Sequence, residues 1–428
     1  MTKAGASGAG TGLPGYLALF AALYGAYGAL SPFLPAFLAE RGLSPQDITV
    51  FLAAATLVRL ASGPLAGRIA DRTERTRGVL VISLALSAVA NLSLLAGHGF
   101  WPLLAIGIVQ AVWTAPLAPL ADALALAAAQ GGRAFQYGWA RAAGSAAFIS
   151  ATVLSGFAVD LYGSTAGLGI CGAAFAAAAV VATRVVTSSG PHASIEMPEC
   201  GDGIAGEVDG LPSELRLSFE TRQNLAPQDE GAHGKSSQRN GFLALAAIPR
   251  FRRVVFVAAL VIGAHAMQDA FAVIVWRDAG LSSGIAGLLW SESVAAEVLV
   301  FLLIGPWLFA KLGAPGVLTI AALAGALRWA VQGATTWLPA LVAIQSLHGL
   351  TFAGLHLACL AVIEQSVPDN LRATALSVYG TLGIGLASAL LTLASGQLFG
   401  AVGLRAFWVM SALSLAAVPL ALSLRAEK

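Results

Sequence analysis

Charge is what this sequence has least of. Asp, Glu, Lys and Arg make up 11% of its 428 residues, against about a quarter in an ordinary soluble domain. A deficit of that size excludes a soluble fold, whose surface must be covered with polar groups. Cysteine is scarce too: Cys171, Cys200 and Cys359 are scattered, with neither metal nor redox spacing, which excludes a disulfide framework. No HExxH, no Ser/Lys or paired-Asp site and no GxxxxGK[ST] loop occurs, so neither an intramembrane enzyme nor an ATP-driven machine is expected. We therefore expect no catalytic residues, no metal and no cofactor, and no nucleic-acid partner.

What is abundant is apolar. Hydrophobic residues are 57% of the chain, there are 48 glycines, and the mean hydropathy is +0.78. A polytopic membrane protein fits, and small residues let its helices approach closely. A spanning helix needs about 20 apolar residues. Twelve runs qualify, near 15–39, 47–69, 78–97, 101–128, 137–159, 165–186, 253–277, 284–309, 315–334, 337–365, 373–399 and 404–424. They are continuous rather than alternating, which excludes a β-barrel. Residues 1–14 read as a flexible tail; the run after it is too long for a signal peptide and stays as the first span. Residues 187–249 are polar, hold nine of the 22 acids and lack periodicity, so they read as a mostly disordered linker. It divides a six-helix half, 15–186, from a second, 250–428.

Basic residues set the orientation. With the N-terminus inside, eighteen of the 24 Lys and Arg fall in inside segments and three (Arg41, Arg277, Arg405) outside. Both termini and the linker are therefore expected in the cytoplasm, with the protein in the plasma (inner) membrane. The halves echo each other at a nearly constant offset: "RGLS" at 41–44 and "AGLS" at 279–282, "GPLAGR" at 63–68 and "GPWLFAK" at 305–311, "RAFQYG" at 133–138 and "RATALS" at 372–377, "LSGFAVDLYG" and "ASGQLFGAVG". An all-α protein of two six-helix units in parallel pseudo-twofold repeat follows, with its site near midplane between them.

"GPLAGRIADRTERTRGVL" (63–80) resembles the loop between spans two and three of major facilitator transporters. "PLADALAL" (119–126), "GAHAMQDAFAVIVWRDAGLS" (263–282), "LLWSESVAAEVLVF" (288–301), "RWAVQGATTWLP" (328–339) and "LHGLTFAGLHLA" (347–358) are similar to the phenylpropionate permease group, relatives of the lactose and nucleoside proton symporters. The resemblance implies proton-coupled uptake of a small organic solute by alternating access, with an aromatic acid as the named example, the proton as coupling ion and the lipid bilayer as setting. The chain departs from the group where Met267, Gln268 and Asp269 replace tyrosines and Glu292 replaces an apolar residue. Thr351 stands where the lactose permease has a glutamate. A uniporter or a proton antiporter of the same fold is the alternative, a transporter-like sensor a remote one; a monomer is expected.

Ionisable residues within spans are costly unless paired or wetted, so each is a candidate. Depth, at about 1.5 Å per residue, puts Asp122 and Arg141 at similar levels, where they are expected to pair. Arg59 lies nearer midplane, as cavity lining or a structural bridge to helix carbonyls. His265 and Asp269, four apart, share a face. Glu297, Arg328 and His348 reach comparable depth across the turn near Thr335–Trp337. Glu297 and Arg328 are expected to form a charge pair, with His348 as relay or donor. His356, eight residues from His348, reads as a hydrogen bond between helices. Pro116 and Pro119 should kink span four and free carbonyls toward a cavity. Gly67, Asp71, Arg72 and Arg75 are read as a cytoplasmic gating loop that latches helix ends in one state, the glycine at a tight turn.

Overall fold

The echo "RGLS/AGLS" marks one turn made twice. Gly42 and Gly280 both adopt positive φ (81° and 87°), a region that favours glycine. Two residues on, Ser44 and Ser282 cap the next helix, their hydroxyls accepting from Asp47 N and Ile285 N. Gly163 and Gly403, which end the last pair of echoes, likewise turn the chain at φ 84° and 56°.

The computed structural model describes residues 12–130, 135–185 and 242–425. The first eleven residues of the tail, Arg133, most of the linker with Cys200, and Lys428 lie outside them. No β-strand occurs among the described residues. The first half holds α1 (Leu13–Leu30), α2 (Leu34–Glu40), α3 (Pro45–Thr73), α4 (Thr76–Ser93), α5 (Phe100–Thr114), α6 (Leu117–Gln130), α7 (Tyr137–Tyr162) and α8 (Thr165–Arg184). The second holds α9 (Pro249–Gly263), α10 (His265–Asp278), α11 (Ser283–Leu299), α12 (Gly305–Ala334), α13 (Leu338–Gln345), α14 (Leu355–Ser366), α15 (Arg372–Val378), α16 (Ala387–Val402) and α17 (Phe407–Ser423). Ten helical stretches are long and apolar enough to cross a membrane. Two of them, Ser283–Ala334 and Asp369–Ser423, run to 52 and 55 residues, far beyond the roughly 20 that a bilayer needs. Each is broken at a positive-φ glycine, Gly313 and Gly403.

Several spans are interrupted, for reasons the sequence carries. The first breaks at Ser31–Phe33, where Pro32 and Pro35 each lack an amide donor. The fourth breaks at Ala115–Pro116, where the kink was expected. Its released Thr114 carbonyl accepts from the Tyr27 hydroxyl at 3.0 Å. In the second half, π-helical segments at Val300–Ile304, Leu350–Gly354 and Tyr379–Leu386 interrupt three spans, a feature that recurs at functional sites. One expectation is corrected. Gly67, Asp71 and Arg72 are not in a loop; α3 continues to Thr73 and the chain turns at Glu74, which takes positive φ. Half of "AGRIADRT" is Ala and Arg, both strong helix formers, and an arginine in the last turn suits the negative end of the helix dipole. A fall in hydropathy ends a span without ending its helix.

The halves meet along α3 with α16 and α7 with α11. At one end, which carries the turns at Arg41, Gly163 and Gly280, the contact is tight. Both Asp160 carboxylate oxygens accept backbone N–H groups at the start of α11, from Ser283 at 2.7 Å and Gly284 at 2.8 Å. Arg277 pairs with Glu40 at 2.6 Å, and Glu40 also accepts from Ser164. Phe33, Ala36 and Val159 of the first half join Met267, Phe271 and Trp276 of the second in one apolar cluster. At the other end Asp71, Arg72 and Arg75 stand exposed and form no ion pair among the described residues.

Candidate functional site

The charged centre of the second half is built on a close approach of two spans. A Cβ on Gly349 would lie 2.4 Å from the Ala296 carbonyl oxygen, nearer than any side chain tolerates. Glycine there lets the span carrying Glu297 press against the span carrying His348. The His348 Nε2 and Glu297 Oε1 atoms are 2.7 Å apart. On the other edge of the ring, Arg328 Nη1 donates to His348 Nδ1 at 2.8 Å.

The expected Glu297–Arg328 pair is therefore not direct. His348 sits between them, because the break before His348 turns its ring into the gap. Chemistry then assigns the tautomer. Guanidinium has only donors, so Nδ1 is bare and Nε2 carries the proton donated to Glu297. Arg328 is fully buried, and its second amine donates to Gln268 Oε1 at 2.9 Å and Gln345 Oε1 at 2.7 Å. Ser293 also donates to Gln345 Oε1, at 2.8 Å. The guanidinium lies over Trp329, 4.5 Å from the ring centre. Both terminal amines of the cation are thus held, while its buried Nε has no hydrogen-bond partner among the described residues and the carboxylate at the far end of the chain stays 20% exposed.

His265 and Asp269 share α10 but part company. His265 Nδ1 donates to the Val261 and Ile262 carbonyls at 3.0 and 3.2 Å, leaving Nε2 beside the Thr351 hydroxyl at 3.1 Å. Asp269 is exposed although its neighbours from His265 to Val273 are buried. It interacts electrostatically with Arg328 and Glu297 and makes no hydrogen bond to either. His356 Nδ1 lies 2.9 Å from the Tyr379 hydroxyl of the next span, the helix-to-helix bond expected of it. Glu292 is half-buried and stands apart from the chain.

In the first half, the expected Asp122–Arg141 pair does not form. Asp122 Oδ1 accepts from the Tyr137 hydroxyl at 2.7 Å. Arg141 donates to the Tyr24 hydroxyl and lies 4.6 Å from the Tyr24 ring centre. Two tyrosines, one beside each charge, take up their hydrogen bonds. Arg59 is exposed, fourteen residues into α3. It lines a cavity of about 360 Å³ with Tyr27, Ser31, Thr114 and Ala115.

Sequence reasoning missed Gln268, Gln345 and Ser293 as holders of Arg328, and Asp160 and Glu40 as the ties between halves. Amides inside apolar spans were the available signal, since an unpartnered amide in hydrocarbon is costly. Asp160 gave none: a carboxylate three residues before the turn at Gly163 reads as a span end.

The MFS_1-like family profile matches residues 16–410. A probable 3-phenylpropionic acid transporter of Escherichia coli is 31% identical over 394 residues, 92% of each chain. The maltose permease of Geobacillus stearothermophilus is 24% identical, over 88% of this chain and 85% of its own. Among solved structures, the nucleoside transporter NupG superimposes with a TM-score of 0.77 at 15% identity, over 97% of this chain and 99% of its own. The fold, the two packed halves and this similarity make the chain a member of the MFS_1-like family, a multi-pass membrane transporter of the major facilitator superfamily and not an enzyme.

Proposed function

We propose that the protein is a proton-coupled symporter that takes up a small aromatic carboxylic acid, of the kind named for its Escherichia coli relative, by alternating access across the inner membrane. The observation that carries this reading is the Arg328–His348–Glu297 chain. It wires a partly exposed carboxylate to a fully buried cation through a neutral imidazole. A proton arriving at Glu297 removes its charge and weakens its grip on the His348 N–H, since a hydrogen bond to an ionised acceptor is roughly twice as strong as a neutral one. The same proton leaves Arg328 as the uncompensated charge of the centre, apart from Asp269. Protonation and the packing of three spans are thereby linked. The two long stretches broken at Gly313 and Gly403 count as two crossings each, which brings the ten to twelve.

The test is uptake of labelled 3-phenylpropionate into proteoliposomes with an imposed pH gradient. Accumulation above equilibrium that collapses with a protonophore is expected. Equilibration without accumulation points to a uniporter, and expulsion of preloaded acid on acidifying the far side points to an antiporter.

Orientation follows from the basic residues: both termini and the linker are cytoplasmic, so the sealed end faces outward. Cys171 and Cys359 are buried. A membrane-impermeant maleimide added to sealed cells is therefore expected to leave the protein unlabelled, and to label Cys200 after permeabilisation. Labelling of Cys200 in sealed cells reverses the orientation.

A further inference from the structure

Three arginines of the spans compete for the carboxylate of such a substrate, and the structure treats them differently. Arg328 is fully buried, and both its terminal amines already donate, to His348, Gln268 and Gln345. An anion reaching those amines would have to break that set. Arg59 is exposed in mid-span and makes no hydrogen bond or ion pair among the described residues. It interacts electrostatically with the Tyr27 phenol, but that hydroxyl is committed to the Thr114 carbonyl. An ionised side chain at this depth is costly unless something answers it.

The surroundings of Arg59 supply the rest of a carboxylate site. The cavity is about 360 Å³, at the small end of the range for ligand pockets. Ser31, at the proline-made break between α1 and α2, is exposed there, and its hydroxyl has no partner among the described residues. Tyr27 and Ala115 offer apolar wall. The next residue along α3, Leu60, touches the second half: a Cβ on Gly385 would meet its Cδ2 at 2.5 Å. The cavity therefore lies beside the seam that alternating access moves. Arg141 is the other arginine within a first-half span, and it is already engaged by the hydroxyl and ring of Tyr24.

Resting on the symporter reading above, we infer that the Arg59 guanidinium holds the substrate carboxylate, with the Ser31 hydroxyl as a second donor, in the cavity between α1, α3 and α5, while Arg328 serves the proton centre alone. Substrate and proton then occupy opposite halves. The planar fork of Arg59 suits a carboxylate through two parallel bonds, which a lysine cannot reproduce.

The experiment is calorimetric binding to the purified full-length protein of a carboxylate series from acetate to 3-phenylpropionate, beside 3-phenylpropan-1-ol, which keeps ring and chain without the charge. R59Q is expected to weaken the acid about 30-fold, as losing charged hydrogen bonds does, and to leave the alcohol unchanged. S31A is expected to weaken the acid about threefold, the scale of one neutral bond. R59Q binding the acid as wild type does overturns the anchor, and a loss seen instead in R141Q moves it to that residue. Wild type binding no carboxylate overturns the substrate reading and the anchor together. Should R59Q fail to purify as a single species, R59K carries the test. It keeps the charge without the fork, about a tenfold loss is expected, and no loss overturns the anchor.

Discussion

Glu297→Gln is expected to abolish gradient-driven accumulation and to spare exchange. The initial rate of uphill uptake is expected to fall more than about 100-fold, the scale on which a positioned proton-transfer group acts. Counterflow in preloaded vesicles without a gradient should persist, because the amide oxygen still accepts from His348 Nε2 and keeps the two spans together. The variant mimics the protonated carboxyl permanently, so the cycle runs but nothing drives it. Arg328→Ala behaves differently. It removes the donor to His348, Gln268 and Gln345 at once, leaves two carboxylates without their cation, and opens a void beside Trp329. Breaking a buried charged cluster costs about 3–5 kcal/mol, so this variant should lose the folded peak in size-exclusion chromatography. His348→Gln should impair coupling more than His356→Gln, whose partner is a tyrosine in the neighbouring span. Uphill uptake at the wild-type rate by Glu297→Gln moves the proton site to Asp269, the other carboxylate that interacts with Arg328.

Gly156→Trp should arrest transport without unfolding the protein. A Cβ alone at this position would lie 2.5 Å from the Ser283 carbonyl oxygen. The backbone of α11 is held in place there by Asp160, so nothing flexible can give way. An indole forces α7 and α11 apart at the sealed end, where Gly287 against Thr152 and Gly396 against Pro45 are similarly tight. Both halves keep their own cores, so folding is spared and the equilibrium moves toward the outward-open state. The measurement is alkylation of a cysteine at Ser31 by an impermeant maleimide from outside. Burial of Cys171 and Cys359 keeps the background low. The rate should rise at least about tenfold over Ser31→Cys alone, a shift of about 1.4 kcal/mol. An unchanged rate in a folded, inactive variant shows that this end does not gate.

Much of the site was legible because a bilayer is a severe solvent. Charges are so costly there that Glu297, Arg328, His348, Asp269 and Arg59 stood out from position alone. What could not be read was which of them touch. Counting residues along straight helices puts Glu297 and Arg328 at one depth, but it cannot foresee the break at Ser346–Leu347 or the π segment after it, which aim the His348 ring between them. The same arithmetic paired Asp122 with Arg141 and overlooked Tyr137 and Tyr24, since a phenol in a span carries no charge to announce itself. Gly67 was expected at a turn because hydropathy falls there, although backbone hydrogen bonding continues to Thr73.

The sequence by itself determined the solvent, the helical class, the duplicated plan and the points of fracture. These depend on local properties: the transfer cost of charge, the missing amide of proline, the left-handed freedom of glycine. The tertiary structure alone decided the partners. Asp160 reaches α11 across 123 residues of chain, and Gly349 meets Ala296 from another span. Such contacts arise where two surfaces with no mark in their own sequence happen to fit. A hydrogen bond inside a membrane is specified by the geometry of both its ends, and only the packed helices supply the second end.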